Sequence, residues 1–188
     1  MEILLSVCIG LGLSAACGFR VFVPLLVMSL ASRADWLSVS GGFDWIGSTP
    51  ALIAFAAATA LEIGGYYIPW IDNLLDTVAT PTAVLAGIMV TASALTDVDP
   101  FFKWTLAILA GGGTAGIFQG FTTIARQVST LSTGGLGNPV LATAEAGSSA
   151  LLAVLAVTLP VLAILIVVVL LFVGVKRLLF RRPVARTP

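Results

Sequence analysis

Histidine is missing altogether, cysteine occurs twice, and only 10% of the 188 residues carry a charge. Without imidazole, the usual zinc sites and histidine-based acid–base chemistry are excluded. Cys8 and Cys17 would stand about 13 Å apart along one helix axis, at 1.5 Å rise per residue, which is too far for an intrachain disulfide. They are expected to serve as small packing residues. Nine basic and nine acidic side chains cancel to zero, and no stretch of the chain offers a basic nucleic-acid surface, a phosphate-cradling loop or a carboxylate-rich catalytic domain. A soluble domain needs a surface about a quarter charged, and this chain cannot supply one.

Apolar residues fill the gap: 59% of the chain is hydrophobic and the mean hydropathy is +1.10. The expected class is all-α, a polytopic helical membrane protein forming one membrane domain over 1–188. Helices are required because open sheet edges and free loops are unsatisfied in hydrocarbon, and the apolar runs exceed the alternating ten-residue segments of an outer-membrane barrel. Met1-Glu2 is no positive leader, so a cleavable signal peptide is not expected. Runs near Ile3 to Ala31, Ala51 to Ile68, Ile71 to Leu95, Phe102 to Ala125, Pro139 to Thr158 and Leu159 to Leu179 suggest about six membrane segments, since roughly 20 residues cross the hydrocarbon. Pro160 alone marks where the fifth run gives way to the sixth.

The connections carry turn chemistry. Ser48 or Thr49 can cap the second run with Pro50 in its first turn, and Asp99-Pro100 starts the fourth in the same manner. Lys176, Arg177, Arg181, Arg182 and Arg186 form a basic tail over 176–188, whereas the Arg33 to Asp44 loop has one arginine against two aspartates. The positive-inside rule then predicts a cytoplasmic C-terminus, and the tail can touch anionic lipid. Two stretches echo one another. Gly10, Ser14 and Gly18 are followed by Phe19, and Gly112, Gly116 and Gly120 by Phe121; Glu62-Ile63-Gly64 is matched by Glu145-Ala146-Gly147, and Pro81 by Pro160. Two three-helix repeats over 3–97 and 99–180 would be inverted relative to each other, a transporter plan in which a re-entrant or broken helix is common.

Small-residue ladders at Gly10/Ser14/Gly18, Ala56/Ala60/Gly64 and Gly112/Gly116/Gly120 put their least bulky side chains on one helix face, which is expected to pack closely on another helix. Charges within apolar runs need partners or a polar cavity. The expected pairs are Arg20 with Glu62 and Arg126 with Glu145, either as structural ion pairs or as a proton or ion relay through the glutamates. Asp72, Asp76 and Thr80 succeed one another by single helical turns, with Asn73 beside them. Two carboxylates on one face repel unless protonated, salt-bridged or bridged by a cation, so they are either solvated at the surface or the mouth of a permeation path. Tyr66, Tyr67 and Trp70 read as an interfacial aromatic belt and Lys103 as an interface anchor. Gln119 and Asn138 could bind a substrate or bond a neighbouring helix.

The motifs Ser14-Ala15-Ala16-Cys17-Gly18-Phe19-Arg20-Val21-Phe22-Val23-Pro24, Leu61-Glu62-Ile63-Gly64-Gly65-Tyr66-Tyr67-Ile68-Pro69-Trp70-Ile71-Asp72-Asn73 and Gly134-Gly135-Leu136-Gly137-Asn138-Pro139 stand in this order. Over nearly its whole length the chain resembles a bacterial membrane family catalogued as a domain of unknown function, number 4126. The resemblance implies a small bacterial inner-membrane protein made only of this domain, and implies no activity, substrate or catalytic residue. The functional expectation is a transporter or channel-like protein for a small solute, ion or lipid. The alternative is a noncatalytic membrane scaffold or assembly protein, and an intramembrane enzyme is the least expected class. No cofactor is expected. Membrane lipid is the first partner, a solute or ion and a second copy of the chain are further candidates, and nucleic acid is excluded.

Overall fold

A computed structural model describes residues 2–179, apart from the side chains of Pro69, Asn73, Leu178 and Leu179. The candidate side chain of Asn73 and the tail arginines Arg181, Arg182 and Arg186 thus lie outside the described residues. The fold is all-α, built from α1 (Glu2–Cys17), α2 (Phe22–Arg33), a 3-10 turn (Asp44–Gly47), α3 (Thr49–Gly65), α4 (Pro69–Ala94), α5 (Pro100–Leu106), a π-helical stretch (Ala107–Gly112), α6 (Gly113–Thr133), α7 (Asn138–Thr158) and α8 (Pro160–Leu179). Four stretches, Trp70–Ala94, Pro100–Thr133, Asn138–Thr158 and Pro160–Arg177, are long and apolar enough to cross a membrane, while α1, α2 and α3 are apolar but shorter. Several long apolar helices with outward-facing Leu165, Val168, Val169 and Phe172 are what a polytopic membrane protein requires.

Local chemistry explains the boundaries. Ser48 Oγ accepts from the Ala51 N–H at 3.3 Å with Pro50 in the first turn of α3, and Asp99 Oδ1 accepts from the Phe101 N–H at 2.9 Å ahead of α5. Gly134 closes α6 at φ 65°, a left-handed conformation that glycine adopts without strain. Between α7 and α8, Leu159 leaves the helical region and Pro160 opens the next helix.

The first expected segment is not one helix. It breaks after Cys17 and restarts at Phe22, so the six apolar runs do not map one to one onto spanning helices. Its expected counterpart in the second half, by contrast, runs without interruption from Pro100 to Thr133. The freed peptide groups of the break are taken up by side chains from elsewhere. Glu62 on α3 accepts from the Val21 N–H at 2.8 Å and the Phe22 N–H at 3.0 Å, so a carboxylate caps α2 at its positive end. Ser149 on α7, fully buried, donates to the Arg20 carbonyl at 3.4 Å and to the Ala16 carbonyl at 2.9 Å, the latter already accepting from the Phe19 and Arg20 N–H groups.

The core lies along α1, which packs against α4, α7, α8 and α6. Leu13, Ala15, Ala16 and Cys17 are wholly buried there, and both cysteines are buried free thiols. Small residues set how near the backbones come. Ser14 donates to the Gly111 carbonyl inside the π-helical stretch, and Thr91 on α4 donates to the Gly10 carbonyl at 3.1 Å. A Cβ at Gly87 would lie 2.6 Å from Ser14 Oγ, and one at Gly111 would lie 2.8 Å from the Gly87 carbonyl oxygen. The three expected ladders fare differently. A Cβ at Gly10 would meet Thr91 at 3.1 Å, one at Gly18 the Ala115 carbonyl at 2.7 Å, one at Gly112 Ile88 at 2.9 Å and one at Gly116 Val84 at 3.2 Å, whereas at Gly120 nothing lies within 4 Å. On α3, Ala56, Ala60 and Gly64 are exposed and a Cβ at Gly64 meets nothing within 4 Å. That face is left open because α3 turns its opposite side toward α2.

These contacts predict opposite outcomes for two glycines. Gly87→Leu should lower stability by about 1–3 kcal/mol through overpacking, read as a lower thermal unfolding midpoint in detergent. Gly120→Ala should stay within about 0.5 kcal/mol of the parent.

Candidate functional site

Three separate pieces of backbone deliver charge to one buried spot. The break between α1 and α2 carries Arg20, α6 carries Arg126 and α7 carries Glu145, and all three are buried, Arg20 to 1% exposure. Glu145 binds both cations: Arg20 Nη2 stands 3.1 Å from its Oε2, Arg126 Nε donates to Oε1 at 3.1 Å, and Arg126 Nη2 donates to Oε2. The Arg126–Glu145 contact is thus a two-point fork, the strongest geometry open to a guanidinium and a carboxylate. Arg20 Nη2 also donates to the Ala142 carbonyl at 3.0 Å.

The Asp72 and Asp76 pair is bridged by Arg126. Arg126 Nη1 lies 2.6 Å from Asp72 Oδ1 and 3.6 Å from Asp76 Oδ1, and Asn138 Nδ2 donates to Asp72 Oδ2 at 3.2 Å and to Thr130 Oγ1 at 3.2 Å. Asp72 is buried; Asp76, one turn on, keeps 29% of its side chain exposed. Among the described residues no group of three or more His, Cys, Asp or Glu is arranged to hold a metal ion.

Arg20 and Glu62 do not form the expected pair. Glu62 spends both carboxylate oxygens on the N–H groups of the helix break, and Arg20 turns to Glu145 instead. The reason is local: peptide groups freed in apolar surroundings need a partner as urgently as a charge does. Thr80 is exposed and lines neither of the cavities described below. Gln119 is buried, its Nε2 donating to Thr123 Oγ1 at a long 3.5 Å. Lys103 donates from Nζ to Ser40 Oγ at 3.0 Å and lies near the Phe43 ring, so it fastens the α2–α3 loop to α5.

Two participants escape a reading by residue type. Tyr66 is not a belt residue but a buried ring with the Arg20 guanidinium carbon 3.6 Å and the Arg126 guanidinium carbon 4.1 Å from its centroid, so the π face offsets the crowding of two cations. Ser149 holds the break from the other side. Both stand four residues beyond a buried glutamate, Tyr66 after Glu62 and Ser149 after Glu145, on the same helix face. That spacing is the signal that could have found them. Tyr67, its neighbour, bonds Thr143 Oγ1 through its hydroxyl at 2.8 Å, and Trp70 is largely exposed.

Two cavities flank the cluster. A polar pocket of about 530 Å³ is lined by Asp76, Thr77, Thr123, Arg126, Thr130 and Asn138 among others. An apolar groove of about 650 Å³ runs between α3 and α4, with Glu62, Tyr66 and Gln119 in its wall. The two have no lining residue in common, but Gln119 in the groove wall bonds Thr123 in the pocket wall, and Tyr66 in the groove wall lies against Arg126 in the pocket wall. Cluster and cavities lie side by side, with Asp76 at the open edge.

Removing the shared anion should be severe. Glu145→Gln leaves two buried guanidinium groups short of a counter-charge and should destabilise the protein by about 3–5 kcal/mol, whereas Glu62→Gln loses charge-assisted bonds to two N–H groups worth about 1.5–3 kcal/mol. Denaturant unfolding in detergent compares them directly. The exchange Arg20→Glu with Glu62→Arg should be no more stable than the worse single variant, because the two residues are not each other's partner.

Comparison with curated proteins and with solved structures gives no match. A family model does match, over residues 7–179, a span that contains every residue of the cluster and of both cavities. The chain belongs to the family described as Domain of unknown function (DUF4126).

Proposed function

We propose that this protein is a small membrane transporter or channel-like protein, and that the Arg20–Arg126–Glu145 cluster with Tyr66 is its closed gate. One observation carries the reading: Tyr66 and Gln119 in the wall of the apolar groove touch Arg126 and Thr123 in the wall of the polar pocket, and Arg126 is a member of the buried ion cluster. A buried ion cluster can serve as a two-state element when an arriving charge replaces the partner that is lost, so that a carboxylate held by two guanidinium groups shifts from one toward the other. Glu145 is the member able to trade, because Arg20 and Arg126 both hold it. Glu62 is tied to the break and serves as a fixed cap.

The finer topology belongs to the same reading. Two inverted three-helix units over 3–97 and 99–180 are supported by an arginine after each glycine-rich face, two residues past Gly18 and six past Gly120, with both guanidinium groups converging on Tyr66. A cytoplasmic C-terminus is supported by Lys176 and Arg177 at the end of α8. A noncatalytic scaffold is the competing reading, favoured by the dryness of Arg20 and Glu145.

Reconstitution distinguishes the two. Proteoliposomes should show protein-dependent movement of a proton, ion, small-solute or fluorescent-lipid probe, reduced at least tenfold by Asp76→Asn in a variant whose unfolding midpoint is unchanged. Flux that is indifferent to Asp76→Asn, or absent for every probe with the parent protein folded, would favour the scaffold.

A further inference from the structure

We infer that the groove between α3 and α4 binds an uncharged single-chain lipid, a long-chain alcohol, whose hydroxyl donates to the carboxamide oxygen of Gln119. The inference goes beyond the transport reading and does not rest on it. It begins with the amide. Gln119 is only 5% exposed, and of the two cavities beside the cluster it lines the groove alone. Thr123 Oγ1 donates its one proton to the Gln119 backbone carbonyl at 2.9 Å, so toward the Gln119 side chain it can only accept. The amide atom facing it at 3.5 Å is therefore Nε2, and the other prong is Oε1. Among the described residues Oε1 accepts no hydrogen bond, and unlike the sealed oxygen of Asn138 it keeps some surface. An acceptor without a donor thus looks into the groove from a side chain that is otherwise buried.

Depth selects the head group. Gln119 stands on α6 between Gly116, which lies beside Val84, and Arg126, which reaches Asp76. That sets it opposite Ala79 and Thr82, which line the groove with it, near the midpoint of the Trp70–Ala94 stretch. A charged head is expensive at such depth, whereas a hydroxyl given an acceptor is not. An anion would also meet the Glu62 carboxylate in the same wall, and a cation would find both oxygens of that carboxylate held by the Val21 and Phe22 N–H groups. Water is a poor source of the donor, because a space walled by Phe19, Leu75 and Val78 and opening on hydrocarbon offers it few polar partners.

The chain follows from the shape. Because α3 packs more on α2 than on α4, a space of about 650 Å³ stays open between Ala58 to Gly65 on one helix and Ile71 to Thr82 on the other. Along α4 it runs eleven residues, about 16 Å at the helical rise, which suits a long alkyl chain. At the far end the helices converge, where an added Cβ at Gly65 would lie 2.9 Å from Leu75. Leu61 and Val78 stand exposed at the rims, so the open side faces hydrocarbon and a chain can enter from the bilayer. One acceptor and one groove match one hydroxyl and one chain.

A photoreactive hexadecanol with a diazirine in its chain tests this on the full-length protein in phosphatidylcholine nanodiscs. Saturable crosslinks are expected on α3 and α4 within 58–82, displaced by hexadecanol about tenfold better than by its methyl ether, which has the same chain and no donor. Gln119→Leu should bring the two competitors level while crosslinking persists. Gly64→Phe, at an exposed position where an added Cβ meets nothing within 4 Å, fills the groove and should abolish saturable crosslinking. Equal competition by the methyl ether in the parent protein makes the groove a seat for any alkyl chain and overturns the inference, and that comparison needs no variant to fold. An unchanged preference in folded Gln119→Leu overturns it as well. Stronger competition by hexadecylammonium or palmitate overturns it in favour of a charged head, and non-saturable labelling that extends to Leu165 and Val169 of α8 overturns it in favour of bulk lipid.

Discussion

A helix broken inside apolar surroundings leaves peptide groups that lipid cannot satisfy, and the arrangement of this protein follows from how those groups are met. Between Cys17 and Phe22 the backbone leaves the helix, so Val21 and Phe22 lose their intrahelical acceptors. Each unsatisfied group would cost several kcal/mol in hydrocarbon. Glu62 answers the N–H side and Ser149 the carbonyl side, which ties α3 and α7 to the same point on the chain. The break also turns Arg20 away from lipid and into the protein. Once Arg20 is buried, Glu145 must be near it, and Glu145 in turn fixes Arg126 and the aspartates of α4. One backbone interruption thereby selects the partners of six charged residues.

Close packing elsewhere makes room for this. Hydrophobic burial does little to drive helices together in lipid, so association depends on van der Waals contact and on polar bonds between helices. Here both operate at one place, where Gly10, Ser14, Gly87, Thr91 and Gly111 bring α1, α4 and the π-helical stretch together. The extra residue per turn of a π-helix turns a carbonyl out of its ladder, and Ser14 donates to the one at Gly111. Polar satisfaction and small side chains are complementary halves of the same contact.

Much of the helical content could be read from apolar runs, and several ends from Ser48, Asp99, Gly134 and Pro160, because capping and φ restriction are local effects. The break at 18–21 was legible only in part. Pro24 does mark it, since it has no N–H for the Arg20 carbonyl and sits in the first turn of α2, but the carboxylate forty residues away that caps the restarted helix leaves no local sign. Pairing failed for the same reason: sequence position identified Arg20 and Glu62 as charges in need, but peptide N–H groups compete for a carboxylate and leave no mark of their own in a sequence. The Ala56/Ala60/Gly64 face shows the limit of a small-residue pattern. Small side chains permit close approach without requiring it, and on α3 they line an open groove. Tyr66 lay beside Tyr67 and Trp70, which disguised a buried ring as one of three belt aromatics.

The cluster is unevenly constrained, and that unevenness is where structure leads to function. Glu145 and Arg126 make a two-point contact, Asp72 has two partners and Glu62 caps a helix, so moving any of them exposes a buried charge or an orphaned peptide. Such groups resist exchange unless another charge replaces the lost partner at the same moment. Asp76 is different: partly exposed, distant from its cation and at the edge of a polar cavity. A charge arriving at Asp76 meets little resistance there and alters the field at Arg126, which also holds Glu145 and shares Tyr66 with Arg20. On the transport reading proposed above, this soft member of a stiff network is where an external ion would act on all of it, since Asp76 lines the pocket beside Arg126.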